Sequence, residues 1–171
     1  MIMETPDFYD STRPAYIPAG ALAACYGYGP FAVPVSELAR FSGHILINDM
    51  PGAPQAARLC RVLDVELGAA RPPDAPAHVH AREAHGHGDA TVYMSLNNVP
   101  AVVDALGELL ARTRLWVAWW DRPEVPKPAD IVAELATMGC HIDEDRIWAV
   151  QWLGGKAFDV SRLYGRDDFV R

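Results

Sequence analysis

Two carboxylates stand one residue apart in Leu63-Asp64-Val65-Glu66, at the end of the apolar run Leu59-Cys60-Arg61-Val62-Leu63. Side chains alternate across a strand, so Asp64 and Glu66 point to the same face, where they repel one another and lose water unless the site uses them. A strand end running into solvent accounts equally well for that pair alone. Two further acids, Asp10 in Tyr9-Asp10-Ser11 and Asp159 in Phe158-Asp159-Val160-Ser161, also stand at or beside expected strand ends. Four acids so placed suit general acid-base chemistry. Clustered carboxyls cannot all ionise cheaply, so one is held protonated and ready to donate while its neighbours stay charged.

The elements that must position these acids alternate along the chain. Expected strands lie near residues 7–11, 21–28, 44–48, 59–66, 90–95, 115–120, 146–152 and 158–160. Helical spacing occupies 34–41, 75–85, 99–112 and 129–138, and 49–57 reads as a loop or at most a short helix. This alternation predicts an α/β fold with a mostly parallel sheet, doubly wound or closed into a barrel. A tight Gly154-Gly155 turn permits a terminal hairpin, which a parallel crossover could not use. No repeat, low-complexity tract or linker interrupts the 171 residues, so the whole chain, 1–171, reads as one domain.

Composition narrows the chemistry. A formal net charge of -7 and the lack of a basic stripe argue against nucleic acid and anionic membrane as partners. Cys25, Cys60 and Cys140 are odd in number and widely spaced, which fits buried apolar residues better than a disulfide framework or a zinc site. His78, His80, His85 and His87, with Glu83 and Asp89 nearby, lack the i, i+4 facing pair of a helical zinc motif; they read as a solvated helix and loop, and no metal is expected. Asp143-Glu144-Asp145-Arg146 reads as a charged turn. No Gly-rich phosphate loop follows an expected strand, which removes support for a nucleotide-type cofactor on a doubly wound sheet. The start, Met-Ile-Met-Glu-Thr-Pro-Asp, has neither the basic charge nor the apolar run of a signal peptide, so synthesis and retention in the cytoplasm are expected, with action at a cell wall only after lysis or within a particle.

Short elements in a fixed order give the chain a family likeness. Tyr9-Asp10-Ser11 resembles a first-strand Asp-x-Ser, Leu63-Asp64-Val65-Glu66 a fourth-strand Asp-x-Glu, and Val92-Tyr93-Met94-Ser95 a fifth-strand Tyr-x-Ser. Leu115-Trp116-Val117-Ala118-Trp119, Ala149-Val150-Gln151-Trp152 and Phe158-Asp159-Val160-Ser161 resemble the later elements. In these motifs the sequence resembles the family 25 glycoside hydrolases, the muramidase type of lysozyme, and their glycoside-hydrolase-like relatives in actinobacteria and their phages.

The resemblance implies a compact, irregular TIM-type (β/α) barrel with five β/α units and three terminal strands. It implies hydrolysis of the β-1,4-linked amino-sugar backbone of peptidoglycan, without a cofactor. Glu66 matches the proton donor; Asp10, Asp64 and Asp159 match the acids around the cleaved bond, with the base, nucleophile and substrate-assisted roles left open. Tyr93, Trp116, Trp119, Trp120 and Gln151 would line the cleft, stacking on sugar rings and bonding hydroxyls, against the alternative that the tryptophans pack the barrel. The chain departs from the family in its brief first strand, its compressed 49–57 segment, Pro72-Pro73 directly after the acid pair, and the absence of a wall-binding repeat. These departures keep a second expectation open: a phage virion or tail protein that retains the barrel to bind glycan or to assemble with other virion proteins.

Overall fold

Segments whose burial alternates or is complete on both faces form the strands. They are β1 (Asp7–Asp10), β2 (Leu22–Tyr28), β3 (Gly43–Asn48), β4 (Val62–Val65), β5 (Thr91–Ser95), β6 (Arg114–Ala118), β7 (Ile147–Leu153) and β8 (Asp159–Leu163). In the computed structural model they join in sequence order into a closed barrel. β1 to β7 pair in parallel, whereas β8 runs antiparallel to both β7 and β1. The structure describes residues 5–120, 122–165 and 169. Residues 1–4, the first part of the expected leaderless start, lie outside them.

Among the described residues five short α-helices accompany the strands: α1 (Val35–Leu38), α2 (Pro54–Leu59), α3 (Ala75–Ala84), α4 (Val99–Leu106) and α5 (Pro128–Thr137). This corrects the expected irregular TIM-type (β/α) barrel of five β/α units and three terminal strands, because the strands close into a mixed β-barrel whose helices are few and short. Here β1 reaches β2 through a single 3-10 turn at Pro14–Tyr16, α1 is 4 residues long and α2 is 6; β7 turns straight back into β8, the terminal hairpin that Gly154-Gly155 permits. The molecule is a closed, mixed eight-stranded β-barrel with partial helical cover. The early crossovers are short and punctuated by Pro14, Pro18, Pro30, Pro34 and Pro51, which leave little chain free of proline for a long helix. The helix expected over 99–112 likewise stops at Leu106, where Gly107 takes φ 52° and the chain continues as 3-10 turns.

An eight-stranded barrel is just wide enough for its own side chains to fill. Phe8, Leu22, Ile45, Val62, Trp116 and Leu163 pack that interior. Trp116 is wholly buried, its ring centroid 4.9 Å from Phe8 and 4.7 Å from Tyr93, and its indole N–H donates to Ser161 Oγ at 2.9 Å. The alternate residues Leu63, Val65, Val92, Met94, Leu115 and Val117 face outward, in one cluster with Val79 of α3, Val102 of α4 and Ile131 and Leu135 of α5. No helix among the described residues is long and apolar enough to cross a membrane.

Phe8 is fully enclosed between Trp116 and Trp148. Phe8→Ala is expected to lower unfolding free energy by about 3–5 kcal/mol through lost burial and the cavity left behind, measured as a shift in the urea midpoint.

Candidate active site

The parallel strands β1 and β4 deliver Asp10, Asp64 and Glu66 at their carboxyl ends. Because β8 runs the other way, its first residue, Asp159, arrives at the same end of the barrel. Asp10 and Asp159 are direct cross-strand partners, and Asp64 lies opposite Tyr93. A cavity of about 270 Å³ opens here, walled by Asp10, Glu66 and Asp159, by Tyr26, Tyr93 and Trp120, and by the hairpin residues Gly155 to Phe158, with Trp116 also in its lining.

Hydrogen bonds fix most of these groups. Gln151, buried on β7, donates from Nε2 to Asp10 Oδ1 at 3.0 Å. Its Oε1 accepts from the Tyr93 hydroxyl at 2.9 Å and from the Trp120 indole N–H at 2.6 Å. Tyr26 donates its hydroxyl to Asp64 Oδ2 at 3.0 Å, while Asp64 Oδ1 is buried without a hydrogen-bond partner among the described residues. The backbone N–H of Gly155 donates to Asp159 Oδ1 at 2.9 Å. A Cβ at Gly155 would fall 2.3 Å from the Phe158 carbonyl oxygen, so the turn that presents this N–H requires glycine.

Burial sets the electrostatics. It pushes the Asp10 carboxyl up to about 8, with the charge of Asp159 adding to the effect. Asp64 is pushed up to about 7, first by burial and then by Glu66. Glu66 and Asp159 also lie above the ordinary carboxylate range, both chiefly through burial. Nearby Asp49, buried at the end of β3, is raised by burial and adds to the repulsion at Asp64. Lys156 is exposed on the hairpin, so no buried cation offsets these acids within the described cavity lining.

Of the acids expected from sequence, the structure brings Asp10, Glu66 and Asp159 to the cavity wall. Asp64 does not line the cavity; its carboxyl is occupied by Tyr26. Tyr93 and Trp116 line it, and Gln151 braces it from within the barrel. Trp119 points away: it packs against the outer cluster, with the Arg122 guanidinium 3.7 Å from its ring centroid. Trp120 takes the cavity position, following the alternation Trp116, Ala118, Trp120. Tyr26 was not anticipated, although the inward sequence Leu22, Ala24, Tyr26 on β2 carries its signal.

Of the histidine run, His80 and His85 are exposed, as a solvated helix and loop would have them, but His78 is not. His78 and Arg82 are buried on α3, with His78 Nε2 3.0 Å from the Arg61 carbonyl oxygen and Arg82 bonded to the Ala57 carbonyl and to Asp89. Among the described residues, no group of three or more His, Cys, Asp or Glu side chains is arranged to hold a metal ion. No protein-family model, curated protein or solved structure matches the chain.

Between an unfolded value near 3.8 and a folded value of about 8, native Asp10 retains a proton that the unfolded chain releases. Stability therefore falls as pH rises through that window, and Asp64 adds a contribution of the same sign. Asp10→Asn keeps an acceptor for Gln151 and removes the titration. Its melting temperature is expected to match wild type near pH 4 and to exceed it by roughly 5 °C near pH 9, as read by calorimetry across pH.

Proposed function

We propose that this chain is a glycoside hydrolase acting on the β-1,4-linked amino-sugar backbone of peptidoglycan, with Glu66 as general acid. The observation that carries the reading is Glu66 itself, half-buried in a cavity wall with a raised proton affinity and facing the same space as Asp10 and Asp159. A cavity of about 270 Å³ lies near the lower end of ligand-pocket sizes and suits a single sugar ring at the reacting position. Tyr93 and Trp120 supply aromatic surface for that ring.

The chemistry divides between the acids by environment. The Glu66 proton passes to the glycosidic oxygen as the bond from that oxygen to the anomeric carbon breaks, and the leaving sugar departs as an alcohol. Asp159 is the least enclosed of the three cavity acids and holds a backbone N–H, which favours its charged form. It faces the positive charge that develops on the ring and takes the proton of the incoming water. Asp64, held by Tyr26, acts on the cavity only through its charge.

A second reading, a virion or tail component that binds glycan or assembles without cleaving it, draws support from the rim. Phe31, Met50, Leu67, Trp120 and Leu153 are exposed large apolar residues, and all five lie at or just beyond the carboxyl ends of strands. A partner protein would cover such a ring.

Reducing ends released from purified peptidoglycan separate the two readings. Wild type is expected to release them, and Glu66→Gln to lose about 10²–10⁴-fold in rate while still co-sedimenting with the glycan. A wild-type chain that binds glycan or forms large particles without cleavage would establish the second reading; one that does none of these would overturn both.

A further inference from the structure

We propose that a pocket at the end of the barrel remote from the acids binds the phosphate group of a small phosphate ester. It lies between the beginnings of β3, β4 and β5 and the last turns of α2 and α3, and encloses about 260 Å³. His44, Arg58, Arg61, Arg82, His87 and Asp89 supply its polar lining. None of these residues lines the acid cavity, so the proposal does not rest on the glycosidase reading. A formal net charge of -7 makes the chain as a whole repel anions, yet this described lining sets three guanidinium groups against one carboxylate.

The pocket has an ordered floor and an unengaged rim. In the floor, Arg61 and Arg82 are buried. Arg61 donates from Nε to Thr91 Oγ1 at 3.1 Å and lies over the Trp148 ring. Arg82 bonds Asp89, and its Nη1 covers the Ala57 carbonyl at 2.8 Å, a group in the last turn of α2 that would otherwise repel an anion. Asp89 shows how this floor treats negative charge: burial pushes its carboxyl up, yet the bond to Arg82 and the nearby guanidinium charges bring it below the ordinary aspartate range. At the rim, Arg58 is exposed and His44 and His87 are half-buried, and none of these three side chains has a hydrogen bond or ion pair among the described residues. An arginine fork can bond two phosphate oxygens at once, and each imidazole adds an N–H. Donors arriving from α2, from β3 and from the loop after α3 suit a tetrahedral oxyanion better than a carboxylate, which offers only two oxygens. A bare phosphate leaves room in the pocket, and Leu46 and the exposed Leu59 give the carbon chain of an ester an apolar wall.

The test follows the histidine ring signals of the purified protein by carbon-proton NMR while glycerol 3-phosphate, inorganic phosphate or acetate is added at constant ionic strength, which holds screening fixed. With glycerol 3-phosphate the His44 and His87 signals are expected to shift and saturate, while His141, which lines a different pocket, stays in place. Arg58→Gln, at an exposed position, is expected to weaken that binding about tenfold by removing a charged donor. Inorganic phosphate is expected to bind more weakly than the ester; equal binding would overturn the ester as occupant in favour of free phosphate. Acetate binding as tightly as glycerol 3-phosphate would overturn the selectivity for phosphate. Unchanged affinity in Arg58→Gln, or shifts that spread to His141 and never saturate, would overturn the site itself.

Discussion

Like charge gathered in one place, with only the exposed Lys156 of opposite sign in the described cavity lining, is what the rest of this molecule accommodates. Asp10 faces Asp159 across β1 and β8, Asp64 and Glu66 share one side of β4, and Asp49 is buried close by. Each would gain free energy by moving into water. Their positions hold because they sit on strand ends whose other residues are locked into the barrel interior, where Trp116, Phe8 and Tyr93 pack ring against ring. Backbone geometry helps too: Gly29 takes φ 99°, and a Cβ there would fall 1.8 Å from Asp49 Oδ1. Repulsion that cannot be relieved by movement is relieved by binding protons, and a site rich in retained protons results.

The other end of the barrel shows the opposite solution with the same kind of residue. Burial pushes Asp89 up, yet its hydrogen bond to Arg82 and the charges of Arg82, Arg61 and Arg114 hold it below the ordinary aspartate range. Arg61 lies 4.3 Å from the Trp148 ring centroid, and Arg162 pairs with Asp7. Acids near the strand beginnings are thus neutralised by guanidinium groups, while those at the strand ends are left among themselves. Ion pairs that close one end of the barrel contribute order there, and the unpaired end keeps its chemical potential for protons.

Much of this was legible in the sequence because most strands are short apolar or β-rich runs set apart by turn residues or by helical spacing. All eight strands fall on or close to expected segments. The fold class was not legible, because strand and crossover spacing does not reveal how little helix a proline-rich crossover retains. Trp119 was misassigned because β6 ends at Ala118; beyond a strand's last paired residue only the inward parity of Trp116 and Ala118 tells which of two adjacent tryptophans turns in. Asp64 was assigned to the cavity because a one-dimensional pattern gives the face of a strand but not the neighbour that caps the side chain, here Tyr26 two strands away. His78 read as solvated because its partner, the carbonyl of residue 61, is invisible until the chain closes.

The reversal of β8 also governs how the barrel can be attached to anything else. β1 enters, and β8 leaves, at the end of the barrel remote from the acids. A linker, tag or solid support joined through either of those strands pulls from the far side and leaves the cavity mouth unobstructed. A long polymer can then lie across the mouth of an immobilised molecule as freely as across one in solution.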